Sequence, residues 1–303
     1  MPAATLNKRM KVGFIGLGRM GQGMAGRILS AGHDLLVCDP VPGQTTALED
    51  AGATAAETPA AAAVDREVVI SMLPSDNALA GVLEGENGLL AALPETCIHM
   101  AMGTHGIPAI NKAAEAHRLA NRDFIACPVL GRPDLAADGL LKLVPGGPKA
   151  AVDKVHPLLD VMGQQTIEAG SDPQAAAAIK ITNNFVLGSA IETMGEAFAL
   201  VEKLGVQPSV FLDILLQGLF GAPAYEIYGK MIVDKAWEGH GATATIGLKD
   251  ADLALEAAAA ADVPLPSARI WRDYLSRAIE RGEGSLDWAV MAREHARASG
   301  LED

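Results

Sequence analysis

Residues 11–21 read KVGFIGLGRMG, an apolar stretch that runs directly into three glycines with GxGxxG spacing. Apolar residues at helical spacing follow from Met20 to Ser30, and residues 34–39 (DLLVCD) form a second apolar run. A strand, a glycine-rich turn, a helix and a second strand within about 30 residues make a βαβ unit. The stretch therefore predicts a parallel, doubly wound sheet at the start of the chain.

Apolar runs of strand length continue to alternate with alanine-rich helical stretches further along the chain. The strands expected after the βαβ unit are 68–73, 96–100, 123–127, 140–144 and a short last one at 166–168. This alternation predicts helices on both faces of the sheet, because each parallel connection must cross over one face.

The pattern changes at Asp172 and Pro173, residue types that favour an N-cap and a first helical position. One helical run continues from there without a breaker until Gly205, and only helical patterns follow it. The sequence therefore predicts an α/β chain with an N-terminal Rossmann doubly wound sheet in 1–170. An all-α C-terminal domain in 171–303 is expected to follow, joined through the long helix.

Composition excludes several classes of function. The chain has 303 residues, a net charge of -13 and no cluster of lysine or arginine, so no nucleic-acid partner is expected. No apolar run is long enough to span a bilayer, and the first residues lack a secretory signal pattern. Cys38, Cys97 and Cys127 show neither metal-ligand nor disulfide spacing. We therefore expect a cytoplasmic protein with no membrane contact, no disulfide and no metal site.

The glycine motif follows a strand and opens a helix, which is the context of dinucleotide binding. Gly16 permits the tight turn, Gly18 lets the backbone approach a pyrophosphate, and Gly21 lets the helix pack on the strand. Asp39 ends the second strand, where a carboxylate accepts hydrogen bonds from ribose hydroxyls and repels a 2′-phosphate. No arginine follows closely, so NAD is favoured over NADP.

The residues expected to contact this cofactor lie at the carboxyl ends of the first three strand patterns. They are Gly16, Leu17, Gly18, Arg19, Met20, Gly21, Asp39, Leu73 and Pro74. For Leu73 and Pro74, an ordinary turn explains the sequence equally well.

The long helix carries an unusual polar stretch, IKITNN, at residues 179–184. Asparagine is a poor helix former, so two in succession near a helix centre require a reason. Lys180 and Asn184 share one helix face, on which a lysine and an amide can hold a hydroxyl-bearing substrate. The pattern by itself fits a solvated helix face about as well.

Four motifs resemble the β-hydroxyacid dehydrogenase family of the 3-hydroxyisobutyrate dehydrogenase type. They occur in family order, as the glycine motif of 16–21, Pro128-Val129 with Gly131, the lysine and asparagines of 180–184, and the Leu-Lys-Asp of 248–250. The resemblance implies an oxidoreductase that transfers a hydride between NAD(P) and a small 3-hydroxy acid.

Residue roles follow from the resemblance alone. It implies that Lys180 is the catalytic acid and base, and that Asn184 binds the substrate. It also implies that Thr104 contacts substrate and cofactor, and that Lys249 lies beside the nicotinamide. The loop containing Gly131 and Arg132 is expected to bind the substrate carboxylate, and the helical domains to associate as a homodimer or homotetramer.

Three departures from the family pattern limit what can be said of the substrate. Leu130 replaces a serine, Arg132 replaces a glycine, and two glycines common before the lysine are missing from 174–178. Arg132 can bind a carboxylate bidentately or reach a second acidic group, although an exposed loop arginine explains it slightly better. Two further functions stay open: an imine reductase and a non-catalytic dinucleotide-binding module. Relatives of both kinds usually lack the lysine, so Lys180 counts against each.

Overall fold

A computed structural model describes residues 9–239 and 241–301 of the chain. They form two compact units, which divide between Lys180 and Ile181. The strands are β1 Lys11–Ile15, β2 Asp34–Cys38, β3 Thr54–Ala55, β4 Val68–Ser71, β5 Ile98–Ala101, β6 Asp123–Ala126, β7 Val129–Leu130, β8 Leu141–Leu143 and β9 Gly163–Thr166.

The helices of the first unit lie between these strands, and a long helix leads into the second unit. They are α1 Arg19–Ser30, α2 Thr46–Asp50, α3 Pro59–Ala63, α4 Asp76–Leu83, α5 Leu89–Ala92, α6 Ile107–Leu119, α7 Pro133–Asp138, α8 Lys149–Met162 and α9 Pro173–Lys203. The second unit continues with α10 Pro208–Gln217, α11 Pro223–Val233, α12 Ala244–Ala260, α13 Pro266–Glu280, a 3₁₀ turn at Trp288–Val290 and α14 Met291–Ala298.

Six strands form a parallel sheet in the order β3-β2-β1-β4-β5-β6. Alternate residues of one strand enter two different cores: Val68 and Ile70 pack with α1 and α8 residues, and Val69 packs on the other face with α4 and α6 residues. The chain order reverses between β1 and β4, where a doubly wound sheet opens a ligand crevice at its carboxyl edge. The predicted α/β fold class is therefore confirmed.

A second, three-stranded sheet in the order β7-β8-β9 was not predicted. The expected strand at 140–144 exists, but it belongs to this sheet and pairs with β7 in the antiparallel direction. The last strand is Gly163–Thr166 rather than 166–168, so that prediction was wrong in position. A side chain at Gly163 would lie 2.5 Å from the carbonyl oxygen of Leu141, and the glycine therefore permits the close pairing. The sequence of β9, GQQT, is polar and lacks the apolar residues that would predict a strand.

The long helix begins as predicted, with Pro173 at its first position and the Asp172 carboxylate accepting the backbone N–H of Gln174. Helices alone form the named elements of the second unit, as the sequence predicted. No helix in the described part of the chain is long and apolar enough to cross a membrane. The domain boundary near Gly170 stays a prediction.

Cys38, Cys97 and Cys127 are all buried and free. Burial raises the pKa of the Cys97 thiol to about 12 and raises those of Cys38 and Cys127 as well. The thiols therefore stay protonated and unreactive near neutral pH.

Candidate active site

The three glycines of the turn between β1 and α1 have different amounts of space around them. Gly16 has a φ of 92°, and a Cβ there would lie 2.4 Å from the carbonyl oxygen of Met72. A Cβ on Gly21 would lie 2.0 Å from the carbonyl oxygen of Gly16, so the helix packs directly on the turn. Gly18 differs, because no atom lies within 4 Å of its Cβ position. The space beside Gly18 is therefore open to a ligand.

The first turn of α1 has the features of a helix N-terminus that can bind an anion. Gly18 is the N-cap, it has no side chain to cap the helix, and the first turn contains no acidic residue. The amide groups of a helix N-terminus then point outward with a partial positive charge. Leu17 is buried, Met20 is half-buried and Arg19 is exposed. The turn thus offers backbone N–H groups, with Arg19 as an accessible cation beside them.

Asp39 follows β2 and is tied to the glycine turn. Its Oδ2 accepts the backbone N–H of Leu17 at 2.7 Å, and its Oδ1 accepts that of Val41 at 2.8 Å. Each carboxylate oxygen has a second lone pair, which remains able to accept a ribose hydroxyl. The carboxylate therefore holds the turn in position and places negative charge beside it. The turn-forming role and the ribose-binding role of Asp39 are compatible.

The loops after β4 and β5 are joined through Asp76, at the start of α4. Its carboxylate accepts the backbone N–H of Gly106 at 3.1 Å and faces His105 Nδ1, also at 3.1 Å. Gly106 is the N-cap residue of α6, so this carboxylate binds the backbone at the start of that helix. The connection fixes the loop that contains the half-buried Thr104. Leu73 is buried and Pro74 exposed in the neighbouring loop.

Gly131 and Arg132 lie between β7 and α7. Gly131 is exposed with a φ of 147°, and a Cβ there would lie 2.7 Å from the Leu141 side chain. The Arg132 side chain is only 22% exposed, with its Nε 3.7 Å from Asp134 Oδ1. That Nε has no hydrogen-bond partner among the described residues. Arg132 is therefore not a fully solvated loop arginine, and it retains a donor for an anion.

The predicted lysine and asparagine lie one turn apart on α9. Lys180 is half-buried and is the last residue of the first unit, whereas Asn184 is buried in the second. Within the second unit, the Asn184 Nδ2 donates to Asp250 Oδ2 at 2.7 Å. The other oxygen of Asp250 lies 3.2 Å from Lys249 Nζ. A buried carboxylate thus contacts two residues, Asn184 and Lys249, that belong to separate motifs of the sequence.

Asp250 was missed as a site residue. The sequence signal was present, because Asp250 completes the Leu-Lys-Asp motif and lies inside α12, where aspartate is unfavourable. Its carboxylate is 4% exposed and receives the Asn184 amide, so it determines which end of that amide faces away from α12. The Oδ1 of Asn184 is consequently turned toward Asn183 Nδ2, 3.4 Å away.

Comparison with known proteins identifies the family. Residues 11–170 match the NAD binding domain of 6-phosphogluconate dehydrogenase, and residues 175–294 match the NAD-binding domain of NADP-dependent 3-hydroxyisobutyrate dehydrogenase. The chain belongs to the β-hydroxyacid dehydrogenase family. As a member of that family, it is an NAD(P)-dependent oxidoreductase of the hydroxyacid dehydrogenase class.

Individual members of the β-hydroxyacid dehydrogenase family match over nearly their whole length. The uncharacterized oxidoreductase YfjR of Bacillus subtilis is 40% identical, with 94% of this chain and 99% of that protein covered. The 3-hydroxyisobutyrate dehydrogenase of Pseudomonas aeruginosa is 32% identical over 88% of this chain and 91% of its own. The crystal structure of 3-hydroxyisobutyrate dehydrogenase from Salmonella typhimurium superposes with a TM-score of 0.84 at 25% identity, covering 94% and 99% of the two chains.

Proposed function

We propose that this β-hydroxyacid dehydrogenase oxidises a small 3-hydroxy acid, similar to 3-hydroxyisobutyrate, with Lys180 as acid and base. The observation that carries the proposal is the polar face of α9, where Lys180 stands one turn before an Asn184 anchored to Asp250. Asparagine is unfavourable inside a helix, and here the buried Asp250 carboxylate fixes the orientation of its amide. We therefore infer that Asn184 is present to bind a ligand. The Pseudomonas aeruginosa relative is named for the same class of substrate.

The residues of the first unit fit a dinucleotide. The open space at Gly18 and the uncapped N-terminus of α1 suit a pyrophosphate, and Asp39 suits two ribose hydroxyls. When bound, the nicotinamide supplies the hydride-accepting chemistry. We propose NAD rather than NADP, because the Asp39 carboxylate repels a 2′-phosphate and residues 40–43 offer no compensating arginine. Leu73, Pro74 and Lys249 are proposed as further cofactor contacts.

Substrate binding is assigned to groups that hold a carboxylate and a hydroxyl. Thr104, the backbone at Gly131 and the Arg132 side chain are proposed to bind the carboxylate, because N–H and O–H donors stabilise an oxyanion. Asn184 is proposed to bind the hydroxyl-bearing end. Arg132 adds a cation, so the proposed substrates include hydroxy acids with a second anionic group.

Lys180 is proposed to accept the substrate hydroxyl proton in oxidation and to donate it in reduction. Oxidation of an alcohol removes the hydroxyl proton as the hydride leaves carbon, and reduction returns it. A neutral lysine amine within hydrogen-bond reach of that oxygen accepts the proton, and the ammonium form donates it in the reverse direction. The half-buried position of Lys180 supports this role, because the amine is partly shielded from water and still accessible to a substrate.

The proposal is tested by NADH formation with a panel of 3-hydroxy acids, including dicarboxylic ones. We expect turnover with at least one acid, and faster turnover with NAD than with NADP. Absence of turnover with every acid, together with measurable NADH binding, would contradict the dehydrogenase proposal and favour a binding module.

We also propose a homodimer or homotetramer. The helix α10 contains no buried residue, although its sequence PSVFLDILLQ is mostly apolar. Exposed apolar side chains lie on and around it within the second unit, at Leu200, Leu204, Val210, Ile214, Leu219 and Phe220. A second copy of the chain would remove this surface from water. Light scattering after size-exclusion chromatography tests the assembly, and a monomer at micromolar concentration would contradict it.

A further inference from the structure

A cluster of two glutamates and one histidine lies in the second unit, outside the proposed catalytic residues. Glu192 and Glu196 stand one turn apart on α9, and His295 lies on α14. The side chains of Glu192 and His295 are 8% and 7% exposed, whereas Glu196 is exposed. Two ionisable groups are thus buried together, with an exposed carboxylate at the edge.

The buried pair lacks the geometry of a hydrogen bond. His295 Nε2 lies 3.3 Å from Glu192 Oε1, yet neither atom has a hydrogen-bond partner among the described residues. Burying such atoms unsatisfied costs free energy, so a native structure normally provides a partner. One ligand atom from each of the three residues lies within 4.8 Å of the others. The two unsatisfied atoms and the Glu196 carboxylate therefore lie close enough together to share one ligand.

Neighbouring residues hold the histidine in this position. A Cβ on Gly195 would lie 2.9 Å from His295 Cδ2, so glycine lets α9 and α14 approach closely. The ring of Tyr274, on α13, packs against the His295 ring with centroids 3.8 Å apart. These contacts hold the imidazole with its Nε2 3.3 Å from the Glu192 carboxylate.

We propose that Glu192, Glu196 and His295 bind one divalent transition-metal ion of the Zn²⁺ class. Two ligand atoms at roughly 2.0–2.1 Å from a tetrahedral Zn²⁺ lie roughly 3.3–3.4 Å apart, which matches the observed Nε2 to Oε1 separation. The imidazole nitrogen favours such a metal over Mg²⁺ or Ca²⁺. In the proposed site, the exposed Glu196 turns its carboxylate toward the ion, and water completes the coordination.

The ion would join α14 to the middle of α9 within the second unit. Cysteine and histidine spacing in the sequence does not reveal the site, because His295 is about 100 residues from Glu196. The proposal is independent of the proposed catalytic function, since none of its ligands has a role there. It concerns stability of the helical unit rather than hydride transfer.

Isothermal titration of the untagged, EDTA-treated full chain with ZnCl₂ tests the proposal. We expect one equivalent that is lost, or weakened at least about tenfold, in Glu196→Gln and in His295→Gln. We also expect Zn²⁺ to raise the thermal unfolding midpoint of the wild type but not of either variant. Glu196→Gln keeps the test valid if His295→Gln folds poorly, because residue 196 is exposed.

His156→Gln is the matched control. His156 also lies near two carboxylates, those of Asp160 and Glu168, but it is 40% exposed. This variant is expected to keep the zinc equivalent and the thermal shift. Wild-type protein that binds no zinc, unchanged binding in Glu196→Gln and His295→Gln, or loss of binding in His156→Gln alone would overturn the proposal.

Discussion

The Asn184 amide donates a 2.7 Å hydrogen bond to the Asp250 carboxylate, which is 66 residues further along the chain and buried. The same carboxylate is an ion-pair partner of Lys249 at 3.2 Å. A single buried acid thereby orients two residues proposed to bind substrate and cofactor. This arrangement makes Asp250 a positioning residue whose effect can be measured separately from the chemistry.

Substitution of Asp250 is expected to lower kcat/KM for the hydroxy acid, mainly by weakening substrate binding. Asp250→Asn removes the charge that orients the Asn184 amide, so kcat/KM for the hydroxy acid should fall by roughly ten- to hundredfold, equivalent to about 1.5–3 kcal/mol. The KM for the acid should rise more than kcat falls. Asp252→Asn is the control, because Asp252 is exposed on the same helix and pairs with Arg272. Equal kinetics in the two variants would remove Asp250 from substrate positioning.

Lys180 is expected to affect the chemical step. Lys180→Met should lower kcat by roughly 10²–10⁴-fold, the usual contribution of general acid–base catalysis, with little change in NADH affinity. Stopped-flow or steady-state NADH formation measures the first quantity, and fluorescence titration the second. Lys203→Met, at the exposed end of the same helix, should behave as wild type. Full activity in Lys180→Met would exclude its proposed role.

Cofactor preference is expected to depend on Asp39. Asp39→Ala combined with Pro40→Arg should shift the ratio of kcat/KM for NAD and NADP toward NADP by at least about tenfold, or about 1.4 kcal/mol. Asp39→Asn is the informative control, because it removes the charge while its amide oxygen can still accept one of the two backbone N–H groups, that of Leu17 or that of Val41. An unchanged ratio in both variants would mean that Asp39 only holds the turn.

Two glycines of the turn should respond differently to alanine. Gly18→Ala meets no atom within 4 Å, so the thermal midpoint should stay within a few degrees while the Kd for NADH rises. Gly21→Ala places a methyl 2.0 Å from the Gly16 carbonyl oxygen and should lower the midpoint itself. Thermal unfolding without cofactor, followed by NADH titration, separates the two effects. Normal NADH affinity in Gly18→Ala would contradict the proposed approach of the pyrophosphate.

A buried histidine chain should make the free energy of unfolding depend on pH. His117 Nδ1 donates to the Ala113 carbonyl, His99 Nδ1 donates to His117 Nε2 at 3.1 Å, and the Ser71 hydroxyl donates to His99 Nε2 at 2.9 Å. This assignment leaves both rings neutral. Burial, and then the proximity of His117, lower the pKa of His99 well below its ordinary 6.5, and burial lowers that of His117.

The sign of the effect follows from the unfolded chain, in which both histidines take up protons near pH 6.5. Stability is therefore complete above about pH 6.5 and decreases below it, by up to about 1.4 kcal/mol per pH unit for each histidine. Urea unfolding at pH 8 and pH 5.5 measures the difference. A His99→Phe and His117→Leu double variant should be less stable but less dependent on pH, while His156→Gln should keep the wild-type dependence. Identical pH dependence in all three proteins would contradict the prediction.

The fold class could be predicted because its signals are local. Apolar runs of strand length, the glycines at 16–21 and the Asp-Pro start at 172–173 each act within a few residues. The small second sheet escaped prediction because β7, although apolar, has only two residues and is too short to show a strand pattern, and because β9 is polar. Its pairing depends on contacts between separate segments rather than on local preference.

The sequence by itself determined the α/β fold class, the glycine turn and the identity of the polar residues on α9. Only the tertiary structure decided their partners: Leu17 with Asp39, Asn184 with Asp250, and Glu192 with His295. The physical reason is the distance along the chain over which each kind of interaction acts. Backbone preference and hydrophobic periodicity are properties of neighbouring residues, whereas a buried polar contact forms only when packing brings distant segments within hydrogen-bond distance and excludes water.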